Sequence, residues 1–328
     1  MNPFTYTRAT DTSDAIAICS REGAMFLAGG TNMMDLMKEG VNTPTQLVDI
    51  RKLPEKQIVV KDDGSVRIGA TTSNTDVAYH PVIKERYQVL SEAILAGASA
   101  QLRNMATVGG NLMQRTRCPY FHEVAFACNK RQPSSGCSAY NGFNRMNAIL
   151  GGSEHCIAAH PSDMCVALAA LDAVVQTRSG LGERSIPISD FHLLPGDTPH
   201  LETALEHGEL IAAVDLPVIP ENARSHYLKV RDRTSYAFAL VSAAVVLEIN
   251  NDVINFARVA LGGVGTKPWR SYEAEQVLMG APVNEDTFTA AANAGMQQAQ
   301  PRQFNTFKVE LAKETLKETL LIVAAMDG

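Results

Sequence analysis

Four cysteines carry the clearest chemical signal in this sequence. Of six in 328 residues, Cys118, Cys128, Cys137 and Cys156 fall in one stretch, Arg115 to His160, that is rich in Pro, Gly, Ser, Asn and Arg and lacks apolar periodicity. Nine, eight and eighteen residues separate them, and no C-x-x-C occurs, so neither a zinc-ribbon pattern nor a ferredoxin run is matched. Four thiolates suit three fates: a [4Fe–4S] cube, a structural zinc site, or two disulfides in an oxidising compartment. Arg115, Arg117, Lys130, Arg131 and Arg145 lie in the same stretch and would offset a cluster's negative charge. His122, His155 and His160 read as ordinary loop histidines. Cys19 and Cys165 sit in the apolar helical patterns DAIAICS and DMCVALAAL, where buried structural thiols are expected.

Two glycine pairs are the second signal. Leu27-Ala28-Gly29-Gly30-Thr31-Asn32 stands between a strand pattern and a helix pattern. Paired glycines there let the backbone approach an anion such as a pyrophosphate, and the helix start supplies free N–H groups. A plain strand-to-helix turn fits the same residues, and neither G-x-G-x-x-G nor a P-loop is present. Arg103 to Leu112 holds the second pair, Gly109-Gly110, flanked by hydrogen-bonding side chains. Two such loops favour a long, two-ended polar ligand.

The elements that must carry these loops follow from pattern. Helix over 12–22, strand over 25–28, helix over 32–39 and strand over 46–50 form a β-α-β order and suggest a small parallel sheet. Strands over 58–60 and 66–70 flank a hairpin signal at Asp62-Asp63-Gly64. Helices over 89–98 and 162–171, the latter capped by Ser162 or Asp163, precede a strand over 173–177. After Pro220, strands over 225–230, 240–249 and 253–261 and helices over 270–279, 286–300 and 306–325 predict a separate C-terminal α+β lobe of three antiparallel strands and helices. The division is 1–222, with the cysteine-rich insertion at about 115–160, and 223–328.

Bulk properties set the class. Hydrophobic residues make up 45% and charged residues 20%, enough to bury a sizeable core. A net charge of -6 without any Lys/Arg block excludes a nucleic-acid partner as a working hypothesis. The longest apolar stretch, Ala237 to Leu247, is far short of the roughly 20 residues that span a bilayer. The N-terminal residues show no export signal. No acid–base dyad or activated nucleophile stands out, so no catalytic residue is assigned.

Taken in order along nearly the whole chain, FLAGGTNMMDLMK, RNMATVGGNL, HPSDM, GELIAAVDLP, YLKVRDRTSYAFALVSAAV and LGGVGTKPWR resemble the FAD-binding subunits of the xanthine dehydrogenase and aldehyde oxidoreductase family, the molybdenum hydroxylases. That resemblance implies an α+β fold: a two-lobed FAD-binding domain of vanillyl-alcohol-oxidase type plus a C-terminal lobe of carbon monoxide dehydrogenase flavoprotein type. By motif it implies that Phe26, Leu27, Ala28, Gly29, Gly30, Thr31, Asn32, Met33 and Met34 wrap the FAD pyrophosphate. Thr107, Gly110 and Asn111 would also touch the cofactor, Asp163 would bond its ribityl or pyrophosphate region, and Lys229 would lie near the isoalloxazine. Taken without the family, Asp163 is a helix cap and Lys229 a solvated strand residue. Tyr236 is a candidate to cover the flavin face, beside its plainer reading as a core or interface tyrosine.

About forty residues intervene where the family usually runs from the second glycine loop straight to the Pro-Ser-Asp segment, and they hold all four clustered cysteines. The insertion looks most like that of the bacterial periplasmic aldehyde oxidoreductase group. In a flavoprotein that moves electrons, a [4Fe–4S] cluster on Cys118, Cys128, Cys137 and Cys156 is the favoured fate over zinc or disulfides. The resemblance implies partners: a large molybdenum-cofactor subunit that oxidises aldehydes to carboxylic acids, and a small [2Fe–2S] subunit. It implies passage of electrons through the FAD here to an external acceptor. Acidic residues that NAD-reducing members carry after the lysine-arginine strand are missing from Thr234 to Phe238, so oxygen or a ferredoxin-like protein is expected instead. A periplasmic location would need co-export with a signal-bearing partner; a cytoplasmic one is the alternative. A standalone FAD oxidase and a non-redox scaffold with a zinc-bound cysteine loop are the competing functions.

Overall fold

Three sheets organise the computed structural model, which describes residues 1–326. The first joins β1 (Thr5–Arg8), β2 (Ala24–Leu27) and β3 (Gln46–Asp49), all parallel, in the order β1-β3-β2. Parallel neighbours need crossover connections, and the helices Thr12–Cys19 and Met33–Lys38 supply them. Asp11 caps the first helix, accepting a hydrogen bond from the Asp14 N–H at 2.9 Å. That helix ends at Cys19 rather than near Glu22, because the chain turns into β2 through Gly23 at a φ of +76°. β1 escapes the sequence reading: Thr5–Arg8 is largely exposed and shows no apolar alternation.

The second sheet contains β4 (Ile58–Val60), β5 (Val66–Gly69), β6 (Val174–Ser179), β7 (Gly182–Pro187) and β8 (Leu210–Leu216), antiparallel in the order β4-β5-β8-β6-β7. The expected hairpin joins β4 to β5, with Asp63 accepting from the Ser65 N–H at 2.9 Å. β8 runs through the middle, and all seven of its residues are buried. Its one acid, Asp215, is held by Arg67 at 2.7 Å and Lys61 at 2.9 Å. Burial works against the ionised form of Asp215, yet these two cations keep its carboxyl below the usual carboxylate range.

The C-terminal sheet is β9 (Arg224–Val230), β10 (Val241–Asn250), β11 (Val253–Gly262) and β12 (Trp269–Arg270), in the order β12-β11-β10-β9. It therefore has four strands, not the three expected; a two-residue strand is too short to show a period, and only its pairing with Ala260 and Leu261 defines it. Side chains alternate along β10. Val241, Ala243, Val245 and Leu247 enter a core roofed by the helices Tyr272–Leu278, Glu285–Gly295 and Phe307–Ala325. Ala244 and Val246 face the other way, into the core shared with the middle sheet. In that shared core lies the helix Asp163–Ala170, buried on every side from Met164 to Ala170, between β10–β11 and the helix Gln88–Ala96. The fold is thus the expected mixture of helix and sheet.

Within the stretch expected to be structureless, two one-turn helices form, Pro119–His122 and Ser138–Asn141, and the rest is loop. These loops build a small core of their own from Leu36, Phe121, Ala139, Ile157, Ala158 and the four cysteines. Among the described residues no helix is long and apolar enough to cross a membrane.

Candidate functional site

A cleft of about 550 Å³ opens between the parallel sheet and the middle sheet. Its size is within the range of cofactor sites. Phe26, Ala28, Gly29, Gly30, Thr31, Asn32 and Met33 line one wall, and Thr107 and Gly110 belong to the other. Leu27 and Met34 lie behind the glycine turn, where their side chains would be the nearest neighbours of a Cβ at Gly30, whose φ is +73°. Asn111 does not line the cleft: its Oδ1 accepts from the Ser162 hydroxyl at 2.6 Å and from Gln114 at 2.5 Å.

The two glycine loops touch. A Cβ on Gly29 would stand 1.9 Å from the Met105 carbonyl oxygen, so only glycine lets the loops meet. Thr107 caps the short helix Val108–Leu112 by accepting from the Gly110 N–H at 3.2 Å. Among the described residues the N–H groups of Gly29, Gly30, Thr31, Asn32 and Met33 find no acceptor in the chain, and the buried Asn32 Nδ2 is likewise without one. Asn32 is oriented by its Oδ1, which accepts from the Arg115 N–H at 2.9 Å. A run of free donors along one wall suits a phosphate-bearing ligand, so the residues fit the group that the motifs imply.

Asp163 and Lys229 are brought together as an ion pair. Lys229 Nζ lies 2.8 Å from the Asp163 carboxylate and donates to the Ala96 carbonyl at 3.1 Å; the Tyr227 hydroxyl donates to Asp163 at 2.6 Å. Both side chains of the ion pair are more than nine-tenths buried. Ser162 is the cap of the helix that Asp163 begins, accepting from the Cys165 N–H at 3.0 Å. Tyr236 is exposed, with a φ of 51°, and its carbonyl accepts from Arg233.

The four clustered cysteines converge on one chamber, walled also by Tyr120, Phe121, Ala139 and Ala158. Cys128 and Cys137 face each other across an antiparallel bridge, closed by Asn129 N–H to Gly136 O at 2.8 Å and Gly136 N–H to Asn129 Oδ1 at 2.8 Å. Asn129 also donates to the His155 carbonyl at 3.0 Å, which ties this bridge to Cys156. Arg131 gathers the loop after Cys118, donating to the carbonyls of Tyr120 at 2.9 Å and Phe121 at 2.8 Å. Sulfur acceptors are met as well: Asn147 Nδ2 lies 3.5 Å from Cys118 Sγ, and the Ala158 N–H 3.5 Å from Cys156 Sγ. All four are free thiols. Burial raises Cys118 and Cys137 and pushes Cys156 up to about 12, although Lys130 works against the rise at Cys156. Cys19 and Cys165 are buried single thiols, as expected.

Beside the cleft, His160 and His192 stand edge to face, their ring centroids 4.3 Å apart. Together with Cys165 they form, among the described residues, the one group of three potential metal ligands whose donor atoms all lie within 4.8 Å of one another. Hydrogen bonding argues against a metal there. His160 Nδ1 accepts from the Ser162 N–H at 3.3 Å, which leaves the proton on Nε2. Burial holds His160 well below its usual pKa and pushes His192 down to about 4, so both are neutral near pH 7. His192 was not anticipated from sequence; it comes from the non-periodic segment before β8, where only its residue type is a signal. Glu202, from the same segment, takes Arg115 at 2.5 Å and Lys130 at 2.8 Å. Burial would raise the Glu202 carboxyl, but these two cations keep it below its usual value.

Two family models match successive parts of the chain. The family model described as FAD binding domain in molybdopterin dehydrogenase matches residues 2–219, and that described as CO dehydrogenase flavoprotein C-terminal domain matches residues 226–323. The aldehyde oxidoreductase FAD-binding subunit PaoB of Escherichia coli (strain K12) is 51% identical over 323 residues, covering 98% of each chain. The putative xanthine dehydrogenase FAD-binding subunit XdhB of that strain is 26% identical, over 98% of this chain and 97% of its own. A structure of reconstituted CO dehydrogenase from Oligotropha carboxidovorans shares the fold, with a TM-score of 0.79 at 24% identity and 100% coverage of both chains. On these grounds the chain belongs to the FAD-binding subunits of the molybdenum hydroxylase family, flavoprotein components of oxidoreductase complexes.

Proposed function

We propose that this chain is the electron-transfer subunit of a molybdenum-dependent aldehyde oxidoreductase and that it carries a [4Fe–4S] cluster as well as FAD. The aldehyde assignment is supported by the extent of its similarity to the aldehyde oxidoreductase subunit. The observation that carries the cluster is the convergence of Cys118, Cys128, Cys137 and Cys156 on one chamber beside the cleft. No three of these sulfurs fall within 4.8 Å of one another, whereas a zinc ion with Zn–S bonds of about 2.3 Å would draw its four sulfurs to about 3.8 Å. A cube holds one thiolate on each of four irons and spaces them more widely.

When bound, flavin and cluster would supply one- and two-electron chemistry. The protein's part is positional. The Gly29 to Met33 donors hold the phosphate end, the loop bonds of Asn129 and Arg131 fix the thiolates, and the Asn147 and Ala158 donors temper their charge. Electrons would arrive from [2Fe–2S] clusters on a small partner, after aldehyde oxidation on a large molybdenum-cofactor partner. They would leave to oxygen or a ferredoxin-like protein; NAD is disfavoured by the missing acidic residues at 234–238. A heterotrimeric complex, co-exported to the periplasm by a signal on a partner, is the arrangement this reading favours. Changing Cys128→Ser in the co-expressed complex tests the ligand set: the four-iron EPR signal should be lost with FAD retained. A signal identical to wild type would remove Cys128 from the site.

A further inference from the structure

The four cysteines of the chamber are not equivalent. Cys118 and Cys156 are buried, and each sulfur already accepts a hydrogen bond, from Asn147 Nδ2 and from the Ala158 N–H respectively. Cys128 and Cys137 are half-buried and stand directly opposite each other in an antiparallel bridge. The hydrogen bonds around that bridge fix its type. The Asn129 N–H donates to the Gly136 carbonyl at 2.8 Å and the Ser138 N–H to the Ala127 carbonyl at 3.1 Å. These bonds flank the two cysteines and leave them a non-hydrogen-bonded pair, in which Cα atoms lie about 4.5 Å apart and the side chains are close. Disulfides span Cα separations of about 4.4–6.8 Å, so a bond between Cys128 and Cys137 needs side-chain rotation and no movement of the backbone.

The chain holds this register without help from sulfur. The Cys128 N–H donates to Ser135 Oγ at 3.0 Å, and the Cys128 carbonyl accepts from the N–H groups of Arg131 at 3.0 Å and Gln132 at 2.8 Å. The Gly136 N–H donates to Asn129 Oδ1 at 2.8 Å, and Gly136 turns the loop at a φ of +101°. Among the described residues no comparable bridge aligns Cys118 with Cys156 or either of them with Cys128 or Cys137.

We propose that Cys128 and Cys137 close into a reversible disulfide when metal is absent and a small disulfide is present, and that this bond is a redox gate on loading the site. This rests on the reading of the four cysteines as ligands. With oxidised glutathione as oxidant, one cysteine attacks an oxidant sulfur and releases one thiol; the second cysteine then displaces the other half. One S–S bond forms in the protein, one breaks in the oxidant, and two electrons and two protons leave in the two small thiols. Two of the four ligands are then consumed, and a cube cannot be held. An oxidising compartment would lock the site against loading, so the metal must be installed in a reducing one.

The test uses the complex co-expressed with its partners. Iron is removed with a chelator under a dithiol reductant, the reductant is exchanged for oxidised glutathione, and remaining thiols are alkylated. Trypsin without reduction then gives the peptides 118–130, with Cys118 and Cys128, 132–145, with Cys137 alone, and 146–178, with Cys156 and Cys165. Peptides 118–130 and 132–145 should be joined, and fragment spectra should place the bond on Cys128. Supplied with ferrous iron and sulfide, the oxidised complex should regain less than roughly a tenth of the four-iron EPR signal regained by a complex kept reduced. A dithiol reductant should restore the rest. Cys137 bound to Cys118 or Cys156, or alkylated like the others, overturns the inference. A disulfide that forms and leaves reloading unchanged overturns the gate. A complex that shows no four-iron signal as purified would instead remove the functional reading beneath, and the peptide map would still decide the pairing.

Discussion

Gly29→Ala is the substitution whose consequence the geometry determines most tightly. Its Cβ would stand 1.9 Å from the Met105 oxygen, 2.7 Å from the Met105 carbonyl carbon and 3.2 Å from the Ala106 Cα, all backbone atoms with no rotamer to escape into. To reach even 3.0 Å the two glycine loops must part by about 1.1 Å. Overpacking of this kind costs about 1–3 kcal/mol. The opening falls on the wall that carries the free N–H groups, so the same energy is lost from ligand binding. Since 1.4 kcal/mol is about tenfold in affinity, FAD affinity should fall by roughly ten- to a hundredfold. Gly180→Ala, where a Cβ meets nothing within 4 Å, is the control and should leave binding unchanged. The assay is fluorescence titration of FAD into deflavinated complex, with a thermal melt of each variant. Wild-type affinity and stability in Gly29→Ala would refute the close approach of the two loops.

Lys229→Met should destabilise the chain by about 3–5 kcal/mol in urea unfolding, because Asp163 would be left as an unpaired buried carboxylate; pairing it with Asp163→Asn should restore part of the loss, and independent, additive effects would contradict the ion pair. Lys308, fully buried, donates to the carbonyls of Asn147 at 3.1 Å and Gly263 at 2.8 Å, and burial pushes it down to about 7. Its folded pKa lies below the unfolded value of 10.5, so the unfolded chain binds more protons between the two and stability should rise with pH across that window, by about 1.4 kcal/mol per unit for this group. Urea midpoints measured from pH 7 to 10 should show a shallower rise in Lys308→Met than in wild type; parallel curves would refute the assignment.

Much of the scaffold is legible from local pattern. The β10–β11 pair declares itself through long apolar runs, and the first glycine loop through its place between strand and helix. Three helices of five or six residues do not, since Asn74–Tyr79, Ala100–Met105 and Val108–Leu112 show too little of a 3.6-residue period. Their only trace is the cap, Ser73, Ser99 or Thr107, each accepting from an N–H three residues on. β8 reads as a bare apolar run, because a central strand buried on both faces has no alternation to show. The cysteines announce ligand chemistry by type and clustering, but their convergence depends on Asn129 and Arg131 bonding distant carbonyls, which no spacing rule encodes. Nor could sequence foresee that Asp163 and Lys229, 66 residues apart, are each other's counter-ion.

Cofactor stoichiometry of the complex, purified anaerobically with its partners, tests the central claim most directly. Visible spectroscopy and iron analysis, after subtraction of partner clusters, should give about one FAD and about four irons for each copy of this chain. FAD without that iron would contradict the cluster, and folded protein with neither would contradict the electron-transfer function itself.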